Sequence, residues 1–170
     1  MIRAVALALG GLLLAASGTM QLRSDDFPAG GRIGRAFMAT DCGGENRSPQ
    51  LSWSEAPRGV KSFALIVHDP DAPISGGFYH WVVYDLPPTV HAVARNAGLR
   101  KEQLGMTSAG TQGYYGPCPP PGPIHHYHFT VYALDVASLA HAAPLTGPQV
   151  EHQVAGHTLG RAMLQGVAAR

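Results

Sequence analysis

A chain of 170 residues, 45% hydrophobic and only 14% charged, is long enough to bury a sizeable core and too apolar for intrinsic disorder. Twelve basic residues against eleven acidic ones leave a formal net charge of +1, so no electrostatic footprint favours nucleic acid or an anionic membrane surface. With 21 glycines and 14 prolines the composition suits a turn-rich fold better than a helical bundle.

In chain order, the first 17 residues, MIRAVALALGGLLLAAS, read as a secretory signal peptide. Arg3 supplies the positive n-region, Ala4 to Leu14 the apolar h-region, and Ala15-Ala16-Ser17 a small-residue cleavage pattern. The apolar run is short for a bilayer span, so the expectation is a single domain over 18–170, periplasmic or secreted, with no integral membrane segment after processing. Export decides how Cys42 and Cys118 are read. In a reducing compartment they are two buried thiols; in an oxidising one the pair invites a disulfide, and both lie in Gly/Pro-rich loops able to bend toward each other.

The stretch FPAGGRIGRAFMAT, 27–40, predicts turns and then a strand from Ile33 to Ala39. After the loop DCGGENRSP, Gln50 to Trp53 reads as a short strand. Phe63 to His68 is a strong strand, apolar and β-branched, that runs directly into Asp69-Pro70-Asp71-Ala72-Pro73. Ala72-Pro73 is a candidate cis bond, since tight site-forming turns favour one. His80 to Leu86 is the next strand, closed by Pro87-Pro88. In 125–135, His125, Tyr127, Phe129, Val131 and Ala133 share one face, which grows more apolar along its length and is assigned to the core. A turn of helix is expected through 135–141. A helix is expected from Thr146 to Val167, with Val150, Val154, Ala162, Met163 and Val167 near one stripe and a capping box at Thr146–Gln149. Strands followed by a little helix predict a mainly β fold: a β-sandwich with peripheral short helices and a C-terminal helix.

Polar groups concentrate at three strand ends: HDPDAP (68–73), FYHW (78–81) and PPPGPIHHYH (119–128). Ends of strands are where a rigid scaffold presents a site. A metal site could draw on the His126/His128 pair with Asp69, Asp71 and His80, but no glutamate follows the H-x-H, and no metal or cofactor is expected. There is no G-x-S-x-G elbow and no phosphate-cradling glycine loop ahead of a helix, so no nucleophile supports an enzyme. What remains is a pocket in which imidazoles and a phenol hydrogen-bond an anion, while an aspartate fixes a histidine tautomer or accepts from an ammonium group.

DPDAP, the HW opening of HWVVYDLP, and GPCPPPGPIHHYHFTVYALD, together with GENRSPQLSW, resemble the phosphatidylethanolamine-binding protein family, which includes the Raf kinase inhibitor protein, and its bacterial branch in particular. The resemblance runs from about Arg35 to Met163. It implies a β-sandwich with a small anion-binding cavity at one end. Carried over to this chain, the pocket residues are Asp69, Pro73, His80, Pro120, His125 and Tyr127, with Asp71 and Trp81 in support. The implied ligands are phosphate-containing or zwitterionic, phosphoethanolamine-like molecules. An alternative is an interaction module that inhibits a protease or kinase through loops 70–80 and 113–124. The tail LGRAMLQGVAAR lacks the tyrosine with which eukaryotic members close the pocket, and an exported chain does not meet a cytosolic kinase. A protein target and a homodimer are left open.

Overall fold

The computed structural model describes residues 19–139 and 142–170; the expected signal peptide lies outside the described residues. Seven strands are described there: β1 (Gln21–Arg23), β2 (Leu51–Ser54), β3 (Ser62–Asp69), β4 (Phe78–Leu86), β5 (Ala92–Val93), β6 (His125–Leu134) and β7 (Thr158–Ala168), with one α-helix, α1 (Gly147–Val154), between β6 and β7. They form two antiparallel sheets, β1-β2-β5 and β4-β3-β6-β7. The fold is the expected mainly β sandwich with a helix near the C-terminus.

The main core lies between the sheets. Leu51 and Trp53 of β2 face Phe63, Leu65 and Val67 of β3 and Phe129, Val131 and Ala133 of β6. A second cluster lies on the outer face of the larger sheet, where Val150 and Val154 of α1 cover Ala64, Ile66, Val82 and Tyr84. Strand β3 is therefore packed on both faces, which is why its sequence is a continuous apolar run and not an alternation. β6 keeps its alternation, because its outer face is only half covered. The amide of Thr146 and its hydroxyl both reach Gln149 Oε1, at 2.9 and 3.0 Å, realising the predicted N-terminal cap of α1.

Four expectations fail. The helix ends at Val154, and Thr158–Ala168 is instead the edge strand β7, paired along its length with β6. Its core face carries Gly160, Ala162, Leu164, Gly166 and Ala168, and a Cβ on Gly166 would stand 2.7 Å from Ile33 Cγ1. Close packing demands small residues there, while Leu159 and Met163 stand exposed on the other face, so the period-2 signal is blurred. The strand expected over 33–39 is a 3-10 turn at Arg35–Phe37, following a short backbone pairing of Ile33 with Val167. Residues 135–138 form bends, not a turn of helix, because the Asp85 carboxylate takes Ser138 Oγ and Leu139 N–H away from helical bonding. The Ala72–Pro73 bond is trans, as are all peptide bonds of the described residues.

Candidate functional site

Asp69 is the last residue of β3, and its side chain is almost wholly buried. A carboxylate there needs partners, and it has two. Oδ2 accepts from His125 Nδ1–H at 2.7 Å, and Oδ1 accepts the Asp71 N–H at 2.9 Å. The second contact is an aspartate bonding the backbone two residues on, the ordinary way such residues nucleate turns. Asp71 then carries the loop to β6: its Oδ2 accepts both the N–H and Nδ1–H of His126, at 2.8 and 2.7 Å. Those bonds hold its carboxyl below the usual range. Gly77 closes the loop in the left-handed region at φ +72°, where a Cβ would collide with the Asp69 carbonyl.

β6 starts beside this turn. Its alternation sends His125 and Tyr127 inward and His126 and His128 outward, so the H-x-H pair and the inner histidines stand on opposite faces. Among the described residues, no three His, Cys, Asp or Glu side chains are grouped to hold a metal.

His80, in β4, approaches from the other side. Its Nδ1 lies 2.7 Å from the Tyr115 carbonyl, and the Tyr115 N–H returns to the His80 carbonyl at 2.8 Å. This double contact docks the 113–120 loop on β4. Burial pulls the His80 pKa down to about 4, so the ring is neutral at ordinary pH. Tyr115 Oη donates to Asp41 at 2.9 Å, and Cys42 and Cys118 are joined in a disulfide with Cα atoms 5.5 Å apart. These contacts tether the loop to β4 and to the turn at Asp41–Cys42.

These pieces enclose a cavity of about 180 Å³. All six sequence-assigned pocket residues line it: Asp69, Pro73, His80, Pro120, His125 and Tyr127. Asp71 stands behind it as the loop anchor. Trp81 faces the main core and meets Tyr114 edge-on at 5.5 Å, so it backs the wall without lining it. Six lining residues were not assigned from sequence, Phe78 and Tyr115 being the largest. Phe78 was within reach, since it lies two residues before His80 on the same strand face. Tyr115 was not, because a glycine-flanked loop carries no periodicity.

The hydroxyl of Tyr127 is the unusual feature of the cavity. It is fully buried and makes no well-formed hydrogen bond in the protein, the Asp69 carboxylate being its nearest polar neighbour. Burial, reinforced by the charge and hydrogen-bonding proximity of Asp69, drives its pKa up, so the phenol keeps its proton at all ordinary pH. The site therefore holds a satisfied Asp69–His125 pair, a neutral imidazole and an unpartnered hydroxyl between proline and aromatic walls. No serine or cysteine thiol lines it, its one cysteine being the disulfide-bonded Cys118.

Residues 23–169 match a family model described as phosphatidylethanolamine-binding protein. A UPF0098 protein of Aquifex aeolicus is 36% identical over 167 residues, covering 94% of this chain and 94% of that one. The crystal structure of E. coli YbcL, described as a new member of the mammalian PEBP family, superposes with a TM-score of 0.84 at 32% identity, covering 90% of this chain and 99% of YbcL. A Mycobacterium tuberculosis relative named as a candidate lipoprotein, LppC, is 40% identical over 126 residues, covering 74% of this chain and 61% of its own.

Proposed function

Because the chain belongs to the phosphatidylethanolamine-binding protein family, we propose that it is an exported, non-enzymatic binding protein whose pocket takes a phosphate-containing or zwitterionic, headgroup-like ligand. One observation carries this reading: the buried, unpartnered Tyr127 hydroxyl meets the Asp69–His125 pair and His80 in a single small cavity. A buried donor without a partner weakens the fold, and a ligand oxygen at that position removes the deficit. Export is supported by the N-terminal pattern of the sequence, by the Cys42–Cys118 bridge, which suits an oxidising compartment, and by the lipoprotein name of one relative. A binding role without turnover is favoured by the chemistry of the lining, which offers hydrogen bonds and no activated nucleophile.

The test is calorimetric titration with phosphoethanolamine. His80→Ala and His125→Ala are expected to abolish binding while circular dichroism retains the β signature. His125→Ala strands a buried carboxylate, so His125→Gln, which can still donate to Asp69, serves as the second variant if the first does not fold. Undiminished binding in the folded variants defeats the reading. A second reading, inhibition of a protease or other protein through the rim, draws on Ile74 and Ile124, which stand 51% and 56% exposed on the two rim loops. It predicts that changes at these two isoleucines remove inhibition while His80→Ala leaves it intact.

A further inference from the structure

We propose that the pocket selects an oxyanion that still carries a proton, such as hydrogen phosphate or a phosphate monoester monoanion, over one that cannot donate a hydrogen bond, such as sulfate. This rests on the anion-pocket reading above and specifies the form of ligand that it takes.

The argument is one of hydrogen-bond polarity. The Tyr115 carbonyl can only accept, so the short contact to His80 places the ring proton on Nδ1. Nε2 of a neutral ring then carries a lone pair, and no donor among the described residues reaches it. The Tyr115 and Gly116 backbone and the Asp69 charge favour a second proton, but burial outweighs them and keeps the ring neutral. Phe78 lies against it on its own strand at 4.6 Å, Tyr115 flanks it from the 113–120 loop, and Tyr127 meets it edge-on from β6 at 5.2 Å. Of the charged or titratable neighbours, His68 and Asp69 belong to β3 and His125 to β6. Asp69 is the one carboxylate in the cavity, and its two oxygens already accept from His125 and from the Asp71 N–H. The Asp69 charge therefore acts on His80 only at a distance, with no hydrogen bond between them, and burial prevails.

A ligand therefore meets an acceptor at His80 Nε2, a second at His125 Nε2 while that ring is neutral, and a donor at the Tyr127 hydroxyl. His125 becomes a second donor through Nε2 when it is charged, its Nδ1–H remaining on Asp69. A fully ionised tetrahedral oxyanion satisfies the donors but sets an oxygen lone pair against that of His80. A P–OH group turned toward His80 converts this repulsion into a hydrogen bond. Sulfate has the same shape and no proton to offer at neutral pH. The ammonium of phosphoethanolamine could also donate there, so inorganic phosphate, which has none, is the discriminating probe.

The experiment is calorimetric titration of the mature, disulfide-intact chain with inorganic phosphate, methyl phosphate and sulfate. It spans about pH 5.5 to 8.5, which brackets the second ionisation of phosphate and its monoesters. Phosphate is expected to bind at least about tenfold more tightly than sulfate at the acid end, the difference expected for one buried acceptor left unsatisfied. Inorganic phosphate keeps a P–OH group on both sides of that ionisation, as H2PO4− and HPO4²−, so its preference over sulfate is expected to persist across the range, whereas methyl phosphate, which loses its last proton there, is expected to weaken as pH rises. Sulfate does not titrate in this range and serves as the reference. In His80→Gln the amide can turn its NH₂ toward the cavity, and the phosphate-to-sulfate ratio is expected to fall close to one. Equal affinities in the wild type, or an unchanged ratio in His80→Gln, overturn the proposal and leave the anion pocket standing. Failure of phosphate, sulfate and phosphoethanolamine alike overturns both. If His80→Gln does not fold, nitrogen chemical shifts of His80 in the wild-type complex decide the matter, since an imidazolium there contradicts the proposal.

Discussion

Tyr114 and Tyr127 offer the same chemical change, removal of a phenolic oxygen, with opposite expected outcomes. The Tyr114 hydroxyl donates to the Phe37 carbonyl at 2.9 Å. Tyr114→Phe strands that carbonyl, and the expected loss is about 1–2 kcal/mol. The Tyr127 hydroxyl makes no well-formed hydrogen bond, and Asp69 beside it keeps its contacts with His125 and the Asp71 N–H, so Tyr127→Phe removes a desolvated polar atom and strands nothing. The expected result is unchanged stability or a gain of up to about 1–2 kcal/mol. Thermal unfolding of the ligand-free proteins resolves this, because 1 kcal/mol corresponds to roughly 2–4 °C in a domain of this size. The Tyr114 variant should melt below the wild type, and the Tyr127 variant at or above it.

Binding reverses the order. If the Tyr127 hydroxyl serves the ligand, Tyr127→Phe should weaken phosphoethanolamine about tenfold or more, while Tyr114→Phe changes affinity little. Gain of stability with loss of binding is the signature of a group kept for function. Equal destabilisation by the two substitutions, or full affinity in Tyr127→Phe, would refute the reasoning.

Two further outcomes follow from the same geometry. Burial lowers the His80 pKa to about 4, whereas in the unfolded chain it titrates near 6.5, so between these values the unfolded state binds more protons. Stability tied to His80 is thus present above about pH 6.5 and is lost as pH falls toward about 4, by about 2 kcal/mol between pH 7 and pH 5. Urea unfolding should show this slope in the wild type and not in His80→Gln; matching slopes contradict it. The Cys42–Cys118 bridge joins residues 76 apart, and loop-closure entropy of that length is worth about 4 kcal/mol. Replacing both cysteines with alanine should cost most of that and weaken the ligand, because the tethered loop forms a cavity wall; a loss below about 1 kcal/mol would show that the tether is redundant.

The sequence disclosed those elements whose patterning answers to a single packing demand. β3 reads as a strand because both faces are apolar, and β6 because one face is. β7 was hidden, since its buried side is built from Gly160, Ala162, Gly166 and Ala168, and its exposed side carries Leu159 and Met163. A periodicity argument weighs hydrophobicity, and here close approach to Ile33, Phe27 and Pro57 selected for smallness instead. The pocket was legible where it uses strand ends: Asp69 closes β3, His125 opens β6, and His80 lies near the start of β4. Tyr115 escaped notice because a tether to Asp41 and a backbone pairing with His80 position it, and neither leaves a local pattern.

The abrupt end of β3 has a consistent physical meaning. Burying the Asp69 carboxylate is unfavourable by several kcal/mol, and the His125 and Asp71 contacts offset that without making the pair better than an apolar one of the same shape. Holding His80 neutral makes folding less favourable in mild acid, and the Tyr127 hydroxyl is desolvated without return. None of these three features stabilises the sandwich, and leucine or phenylalanine at each position would pack the same space. They converge on one cavity whose walls are fixed by prolines, a disulfide and the Asp71–His126 contact. Local departures from what stability alone would select, gathered at one rigid point, are expected where a site is preorganised for a ligand, because a ligand then binds without having to order the loops around it.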